Sequence, residues 1–538
     1  LYNGQKSAIF QPAKDYSSAS AIYMQTRKPL FKGEKKNNLN IGVKGGSFST
    51  INPSLLWEHR FNERISSSIS TEYMYTSGRY KFTYAKKDGY DTTAVRQNGD
   101  VRMLRLENAF FGKIPKGEWK AKAYLYNSER GYPGAAVREE PGKFRHQDRQ
   151  WDTNLFVQGS FQNYFKPWYS LLANGKYAYD YLHYLSDPRL DVTTMYVDNY
   201  YRQQEIYASA AHLFTIYPWW SMSLSNDFQW NTLRADLIDF VYPTRNTILT
   251  SAATSFDFNR LMLQASLLYT HVDDNTRTKG ANAGTKNKYT PSVIATWQPL
   301  TKLPLNVRAF YKKVFRMPTL NDLYYTFIGN KDLKPEYTTQ YDVGITFSHT
   351  WNNHWLKSLD LQIDGYYSEV DDKIIAMPTS NQFRWTMINL GHVEIRGLDA
   401  AIRGEWGFGK VELSTLFNYT YQKAQDFTDP TSEWYGGQIP YIPWHGGSII
   451  LNGSYQTWSC NYSFIYTGER YEAVANIPEN YAQPWYTHDF SLSKTFQWGK
   501  TGIRVTAEIN NIFNQQYEVV QCYPMPGTSF KIKLNVML

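Results

Sequence analysis

"PWWSMSLSNDFQWNT" runs from Pro218 to Thr232. Pro218 marks a tight turn, and two tryptophans follow it. Met222, Leu224, Phe228 and Trp230 then share one parity, against Ser221, Ser223, Ser225 and Gln229 on the other. Successive side chains of an extended chain point to opposite faces, so this stretch carries one apolar and one polar face. A polar, irregular span from about Thr232 to Thr247 comes next. The order is short turn, two-faced strand, long loop.

That order recurs along the chain. Phe530, Ile532, Leu534, Val536 and Leu538 alternate with Lys531, Lys533 and Asn535, and Val505, Ala507 and Ile509 with Arg504, Thr506 and Glu508. Leu359, Leu361 and Ile363 alternate with Asp360, Gln362 and Asp364, and Trp119, Ala121, Ala123 and Leu125 with Lys120, Lys122 and Tyr124. The spacing predicts about 22 strands and no helix of three turns or more. Every second connection is short: Asn62-Glu63, Lys113 to Gly117, Lys166-Pro167, Pro218, Asn259-Arg260, Pro299 to Leu303, Trp406 to Gly409, Gln456-Thr457 and Trp498 to Thr501. The intervening ones are long, among them Thr76 to Asp100, Ser128 to Gln150, His183 to Arg202, Phe315 to Tyr337, Ser368 to Gly391 and Gln422 to His445.

The expected fold is therefore all-β: a transmembrane antiparallel β-barrel of about 22 strands, with short periplasmic turns and long extracellular loops. A soluble sandwich does not readily give two classes of connection in strict succession, and closure removes the exposed edges of so large a sheet. An even strand count leaves both termini on the short-turn side. Trp219, Trp220, Trp297, Trp351, Trp355, Trp406, Trp458 and Trp498 sit at or beside short turns, where a barrel needs an aromatic girdle.

Composition agrees. Among 538 residues 17% are aromatic, with 44 Tyr and 17 Trp. No run of about 18 apolar residues offers a transmembrane helix, and a barrel needs none. The net charge of +9 fits a solvated, basic surface or attraction to anionic headgroups and ligands. No compact basic block with a matching motif points to nucleic acid. Two cysteines, Cys460 and Cys522, exclude a disulfide scaffold and a Cys-based metal site, and leave their own pairing open. No G-x-S-x-G elbow or framed carboxylate pair points to an enzyme.

A lumen this wide is normally plugged. Residues 1–29, "LYNGQKSAIFQPAKDYSSASAIYMQTRKP", read as the closing part of a plug, with a last strand at Ala21 to Thr26 and a basic exit. Residues 30–538 are then the barrel. The chain opens on Leu1 and is read as a mature or truncated segment of a longer product.

Several stretches together carry a family resemblance. They are "FRMPTLNDLY" (Phe315 to Tyr324), "GNKDLKPE" (Gly329 to Glu336), "NLGHVEIRGLD" (Asn389 to Asp399), "YNSERGYPGA" (Tyr126 to Ala135) and the C-terminal "INNIFNQQYEVVQCYPMPGTSFKIKLNVML". The chain resembles, nearly end to end, the barrel of a TonB-dependent outer-membrane receptor, in wording similar to receptors of Bacteroidota. It departs from that pattern at Met537-Leu538, where the family ends in an aromatic, and carries no TonB box. The resemblance implies a Gram-negative outer membrane and a transporter rather than an enzyme. It also implies coupling to the TonB-ExbB-ExbD complex through a plug, contact with lipid and lipopolysaccharide, and a surface lipoprotein as a further partner.

The ligand expected is scarce and bulky: a corrinoid first, with a ferric siderophore or haem as the alternative in the same fold. A passive porin or structural barrel is the alternative outside it. Haem receptors of this family place a histidine between the two loop elements, and Thr319 to Ile328 contains none. Tyr196, Tyr200, Trp385, Trp434, Tyr435 and Tyr441 are the ligand-binding candidates, because rigid aromatics on loops give large contact at low entropic cost. Phe315, Arg316, Pro318, Asn330 and Glu336 belong to the loop motif and are expected mainly to fold it. Asp187, Asp191 and Asp198 offer hard oxygen donors suited to Ca²⁺, which cobalamin receptors of similar sequence carry on early loops. No cofactor is otherwise required.

Overall fold

The computed structural model describes residues 2–3, 8–85, 91–136, 148–187, 196–278, 282–325, 328–352, 354–378 and 385–538. Strands β1 (Asn37–Gly46), β2 (Thr50–Arg60), β3 (Ile65–Thr76), β4 (Val101–Ile114), β5 (Gly117–Tyr132) and β6 (Asp148–Lys166) open the barrel. They are followed by β7 (Tyr169–Ser186), β8 (Val197–Tyr217), β9 (Trp220–Ala235), β10 (Thr244–Asp257), β11 (Leu261–Asn275) and β12 (Thr285–Trp297). Next come β13 (Leu305–Arg316), β14 (Glu336–Thr350), β15 (Leu356–Pro378), β16 (Trp385–Phe408) and β17 (Val411–Asp426). The wall ends with β18 (His445–Tyr455), β19 (Trp458–Thr467), β20 (Trp485–Trp498), β21 (Thr501–Asn510) and β22 (Ser529–Met537).

Each strand pairs antiparallel with its neighbour, and β22 returns to β1 in register from Asn40 opposite Met537 to Gly46 opposite Lys531. The sheet is a closed barrel, so no edge is left to pair with another chain. Both barrel ends of the chain lie on one rim, where Leu39 and Leu538 exchange two backbone hydrogen bonds. The turns on that inner rim are tight. Asn259, Gly409, Gln456 and Gly499 adopt positive φ there, as tight hairpins require.

Alternation sets the two faces. Leu155, Val157, Ile206, Leu224, Phe228, Val343, Ile345, Ile532 and Leu534 are exposed large apolar side chains on the outer surface. Ser223, Ser225, Asp227, Ser251, Ser266, Ser292 and Asp364 are buried on the lumen side. An apolar band of this extent is unfavourable in water and matches acyl chains. Rings close the band at its inner edge. Tyr217, Trp219, Trp220, Phe256 and Phe258 form one continuous stack, and Trp355, Trp406 and Phe408 another. Towards the outer rim Tyr269 meets Tyr289, and Tyr341 lies between Tyr311 and Tyr367.

Two expectations need correction. The span Ser368 to Gly391 is not mainly loop, because β15 continues to Pro378 and β16 starts at Trp385. Val370, Leu390, Val393, Ala424 and Ile439 bury one another there, so packing above the membrane extends the pairing. The strand expected at Ala21 to Thr26 is reduced to Ser20–Ala21 paired with Tyr2–Asn3. Ile22 and Met24 are exposed, so nothing beside them rewards a longer ladder. Among the described residues no helix is long and apolar enough to cross a membrane. No disulfide joins Cys460 and Cys522.

Candidate functional site: the filled lumen and the outer loops

Residues 8–18 lie inside the barrel against its wall. Ile9, Ala13 and Tyr16 pack on Leu249 and Ala253 of β10 and Leu268 of β11, with Leu213 of β8 at the margin. Ala13–Tyr16 forms one turn of 3₁₀ helix, whose first N–H groups lack partners within the turn. Asp227 of β9 supplies them. Its Oδ1 accepts from Ala13 N–H at 3.0 Å and its Oδ2 from Lys14 N–H at 2.8 Å. The Tyr207 hydroxyl donates to the same carboxylate at 2.7 Å.

Two further bonds pin the flanks. Ser225 donates to the Gln11 carbonyl at 2.8 Å, and Lys312 of β13 donates from Nζ to the Ser18 carbonyl at 2.6 Å. Burial pushes the Tyr16 phenol well above its usual range, and its hydroxyl donates to the Ile9 carbonyl at 3.0 Å. Asp227 and Lys312 escaped the sequence reading. Asp227 does carry a signal: it is the one acid on a face of Ser221, Ser223, Ser225 and Gln229. Beside the segment a cavity of about 390 Å³ is lined by Lys14, Lys122, Lys176, Glu205 and Tyr207.

The loop between β13 and β14 is folded by its own motif. Helix α1 (Leu320–Tyr324) starts at a capping box, in which Thr319 and Asp322 bond each other's backbone N–H. Leu320 is buried with Tyr201, Leu233, Ala235 and Phe240, and Leu323 with Leu333 and Ile374. Phe315 is buried, its ring 5.4 Å from that of Tyr337. The Pro318 carbonyl accepts from Arg245 at 2.6 Å, while the same guanidinium grips Asp274 through Nε and Nη2 at 2.5 and 2.7 Å.

Arg316 lies 3.6 Å from Glu336 and 3.7 Å from Asp322. Glu336 accepts from the Ile374 N–H at 2.9 Å. Asn330 donates to the Met387 carbonyl at 3.0 Å, and Asn389 accepts from Lys334 N–H at 2.8 Å. The "GNKDLKPE" and "NLG" stretches thus meet at the rim through Lys334 and Asn389, 55 positions apart in the chain. Gly329 is required by close approach, since a Cβ would stand 2.7 Å from Tyr325 N and O. Burial pushes the Tyr325 phenol up to about 12.

Elsewhere the outer loops interlock. Arg470 donates to the carbonyls of Gln483, Glu518 and Val519 at 3.2, 2.9 and 3.0 Å. Asn476 and Gln438 bond reciprocally, at 2.6 and 3.1 Å. The Ala136 N–H reaches the Cys522 carbonyl at 2.6 Å, and the Tyr80 hydroxyl the Pro524 carbonyl at 2.6 Å. Five loops are thereby held together above β3 to β5 and β17 to β22.

The aromatic candidates separate into three places. Trp385 and Tyr441 meet, with ring centroids 5.9 Å apart. Tyr441 is seated in the interlocked loops, where Tyr471 accepts from its N–H at 2.7 Å and burial raises its phenol. Tyr435 sits edge-on to Phe427 at 5.1 Å, and Trp434 is exposed beside it. Tyr200 stacks on His183 at 4.1 Å and shares the outward parity of Ile206, with Tyr196 next to it at the rim. The structure does not bring Tyr196 and Tyr200 to the other four. Of the three acids, Asp198 accepts from His183 at 2.6 Å, Asp187 follows the end of β7, and Asp191 lies outside the described residues. Among the described residues no three His, Cys, Asp or Glu converge as a metal site.

The chain is 28% identical over 244 residues to the vitamin B12 transporter BtuB of Photobacterium profundum, covering 44% of this chain and 36% of that protein. It is 30% identical over 207 residues to its counterpart in Vibrio vulnificus, covering 38% and 29%. The chain thus spans about a third of the length of these curated relatives. Among solved structures, the copper transporter OprC superposes with a TM-score of 0.74 at 15% identity, covering 100% of this chain and 85% of that one. The FrpB iron transporter of Neisseria meningitidis gives 0.71 at 11%, covering 94% and 82%. At these identities the likeness concerns the fold. The family model described as "TonB dependent receptor-like, beta-barrel" matches residues 37–512, from the first residue of β1 to just past β21. By that match and its closed cylinder of 22 strands, the chain belongs to the TonB-dependent receptor β-barrel family.

Proposed function

We propose that this chain is the barrel and final plug segment of an outer-membrane receptor that binds a scarce, bulky ligand on its outer loops and imports it with TonB energy. One observation carries the reading: residues 8–18 are pinned in the lumen through Asp227, Ser225 and Lys312. A passive porin keeps its channel water-filled, whereas other barrels are plugged. The lumen cavity beside that segment, about 390 Å³, is lined by several lysines and suits a polar cargo with anionic groups.

A corrinoid is the favoured ligand. The curated relatives matched by sequence include vitamin B12 transporters, while superposable structures transport iron, copper or siderophores. Those latter matches share the fold only, so the ferric-siderophore reading ranks second, and haem stands beside it as an alternative in the same fold. Trp385 and Tyr441 in the interlocked loops are the aromatic pair offered for contact. The same reading includes calcium on the loop of Asp187, Asp191 and Asp198, a surface lipoprotein over the loops, and the TonB-ExbB-ExbD complex acting through plug residues ahead of Ile9.

The deciding experiment is growth of a deletion strain on limiting vitamin B12 and on limiting iron, with mass spectrometry of ligands that copurify with the protein. Loss of growth on limiting B12 alone supports the corrinoid reading. Rescue by iron chelates alone ends it. Calcium dependence of cyanocobalamin binding tests the metal.

A further inference from the structure

The inner mouth of the barrel carries a groove of about 320 Å³, beside the segment that leads out of the lumen into β1. Leu30, Phe31 and Phe111 give it apolar surface, and Lys28, Arg60, Arg64, Lys113 and Lys120 surround that surface with cations. Leu30 is 81% exposed. Arg60 fixes the segment: its Nη2 donates to the Gly33 carbonyl at 2.9 Å, and its guanidinium carbon lies 5.5 Å from the Phe31 ring. Lys113 shares the parity of Ala109 and Phe111, which are buried on the lumen side. The groove therefore opens on the mouth rather than on the lipid face.

The turns around the groove hold an excess of positive charge. Lys32, Lys35 and Lys36 ahead of β1, Arg64 between β2 and β3, and Lys113 and Lys116 at the β4–β5 turn are all exposed. Among the described residues no ion pair engages any of the six. Glu118 is taken by Lys28 and by Lys120, the latter at 3.1 Å. Glu34 and Glu63 are charged on the same surface and offset two of the six. The other inner turns carry one unpaired cation at most, as at Lys410 and Lys500. The backbone beneath the charges is fixed. The Lys36, Arg64 and Lys116 carbonyls accept from the N–H groups of Arg60, Lys113 and Tyr164, each at 2.8 Å. Only the side chains are left free to meet a partner.

We propose that this groove docks an extended acidic segment of a separate periplasmic protein, with carboxylates on the cationic turns and an apolar side chain against Leu30 and Phe31. Charge complementarity selects the partner's sign and speeds its arrival, while an apolar anchor supplies contact that salt does not screen. A second copy of this chain does not fit, because its net charge of +9 would meet a surface of the same sign. The inference takes from the reading above only that this rim faces the periplasm.

The test is fluorescence anisotropy on the purified full chain in non-ionic detergent. The probes are a labelled Glu/Ser peptide with one central Leu, the same peptide without the Leu, and a Lys/Ser peptide with it. The wild type and a Lys410→Gln/Lys500→Gln control bind the first peptide, less tightly as salt is raised. The R64Q/K113Q/K116Q variant binds it about tenfold more weakly. Leu30→Ser removes the preference for the Leu-bearing peptide, and it serves if the triple variant does not fold. Equal affinity of wild type and triple variant, or equal binding of the Lys/Ser peptide, overturns the proposal. Displacement by micromolar short-chain phosphatidylglycerol also overturns it and assigns the surface to lipid. The assay needs no imported ligand, so failure of the import reading in the growth experiment is a separate result.

Discussion

Replacing Asp227 by Ala removes the carboxylate that holds Ala13 and Lys14 against β9. Two charge-assisted bonds, at 3.0 and 2.8 Å, disappear together, and the Tyr207 hydroxyl loses its acceptor. Bonds to charged groups contribute about 1.5–3 kcal/mol each, so the lower bound for the pair is about 3 kcal/mol. A buried N–H left without a partner at Ala13 adds to that cost. The contacts of Gln11 with Ser225 and of Ser18 with Lys312 remain, so opening is confined to the turn between them.

The assay is hydrogen exchange of peptides covering residues 8–18 in the detergent-solubilised protein. At about 1.4 kcal/mol per decade, exchange at Ala13 and Lys14 should accelerate by about two orders of magnitude. The barrel strands should keep wild-type rates. Asp227→Asn should fall between, because Ala13 and Lys14 bond different oxygens and the amide replaces one of those acceptors with an NH₂ donor. Unchanged exchange in Asp227→Ala, or acceleration spread evenly over the barrel, would refute the clamp.

Arg470→Ala should release the carbonyls of Gln483, Glu518 and Val519. Limited proteolysis should then cut the β19–β20 and β21–β22 loops faster, by about tenfold or more, with the melting temperature of the barrel unmoved. The Arg149 guanidinium holds the Asp100 carboxyl below its usual range. A depressed folded pKa stabilises above the unfolded value near 4 and is lost as pH falls through the lower folded value. Exchange protection at the outer ends of β4 and β6 should therefore weaken in acid below about pH 4, and Asp100→Asn should abolish that dependence. Gly46→Ala would set a Cβ 2.2 Å from the Phe530 carbonyl oxygen, on the seam between β1 and β22. It should cost about 1–3 kcal/mol of closure, read as a lower temperature for the heat-induced mobility shift on electrophoresis.

The wall was legible because alternation is a local property. Met222, Leu224 and Phe228 against Ser221, Ser223 and Ser225 report their faces without reference to any other strand, and the tryptophans beside the turns report the rim. The loop motif was legible as a motif, but its partners were not. Arg245 meets Pro318, and Asn389 meets Lys334, across distances in sequence that no spacing encodes. The span from Ser368 to Gly391 misled because its polar residues read as loop, while burial against Ala424 and Ile439 makes it strand.

The sequence alone determined a two-faced sheet of about 22 strands, its closure and the rim at which its ends meet, since a period of two and alternating connection lengths admit little else. Only the tertiary structure decided what fills the cylinder and which aromatics stand together. Asp227 reaches Ala13 across more than two hundred residues, and Trp385 meets Tyr441 while Tyr200 faces outward. The physical reason is that a strand's pattern specifies which side a residue faces. What it touches there depends on chain segments brought in from elsewhere.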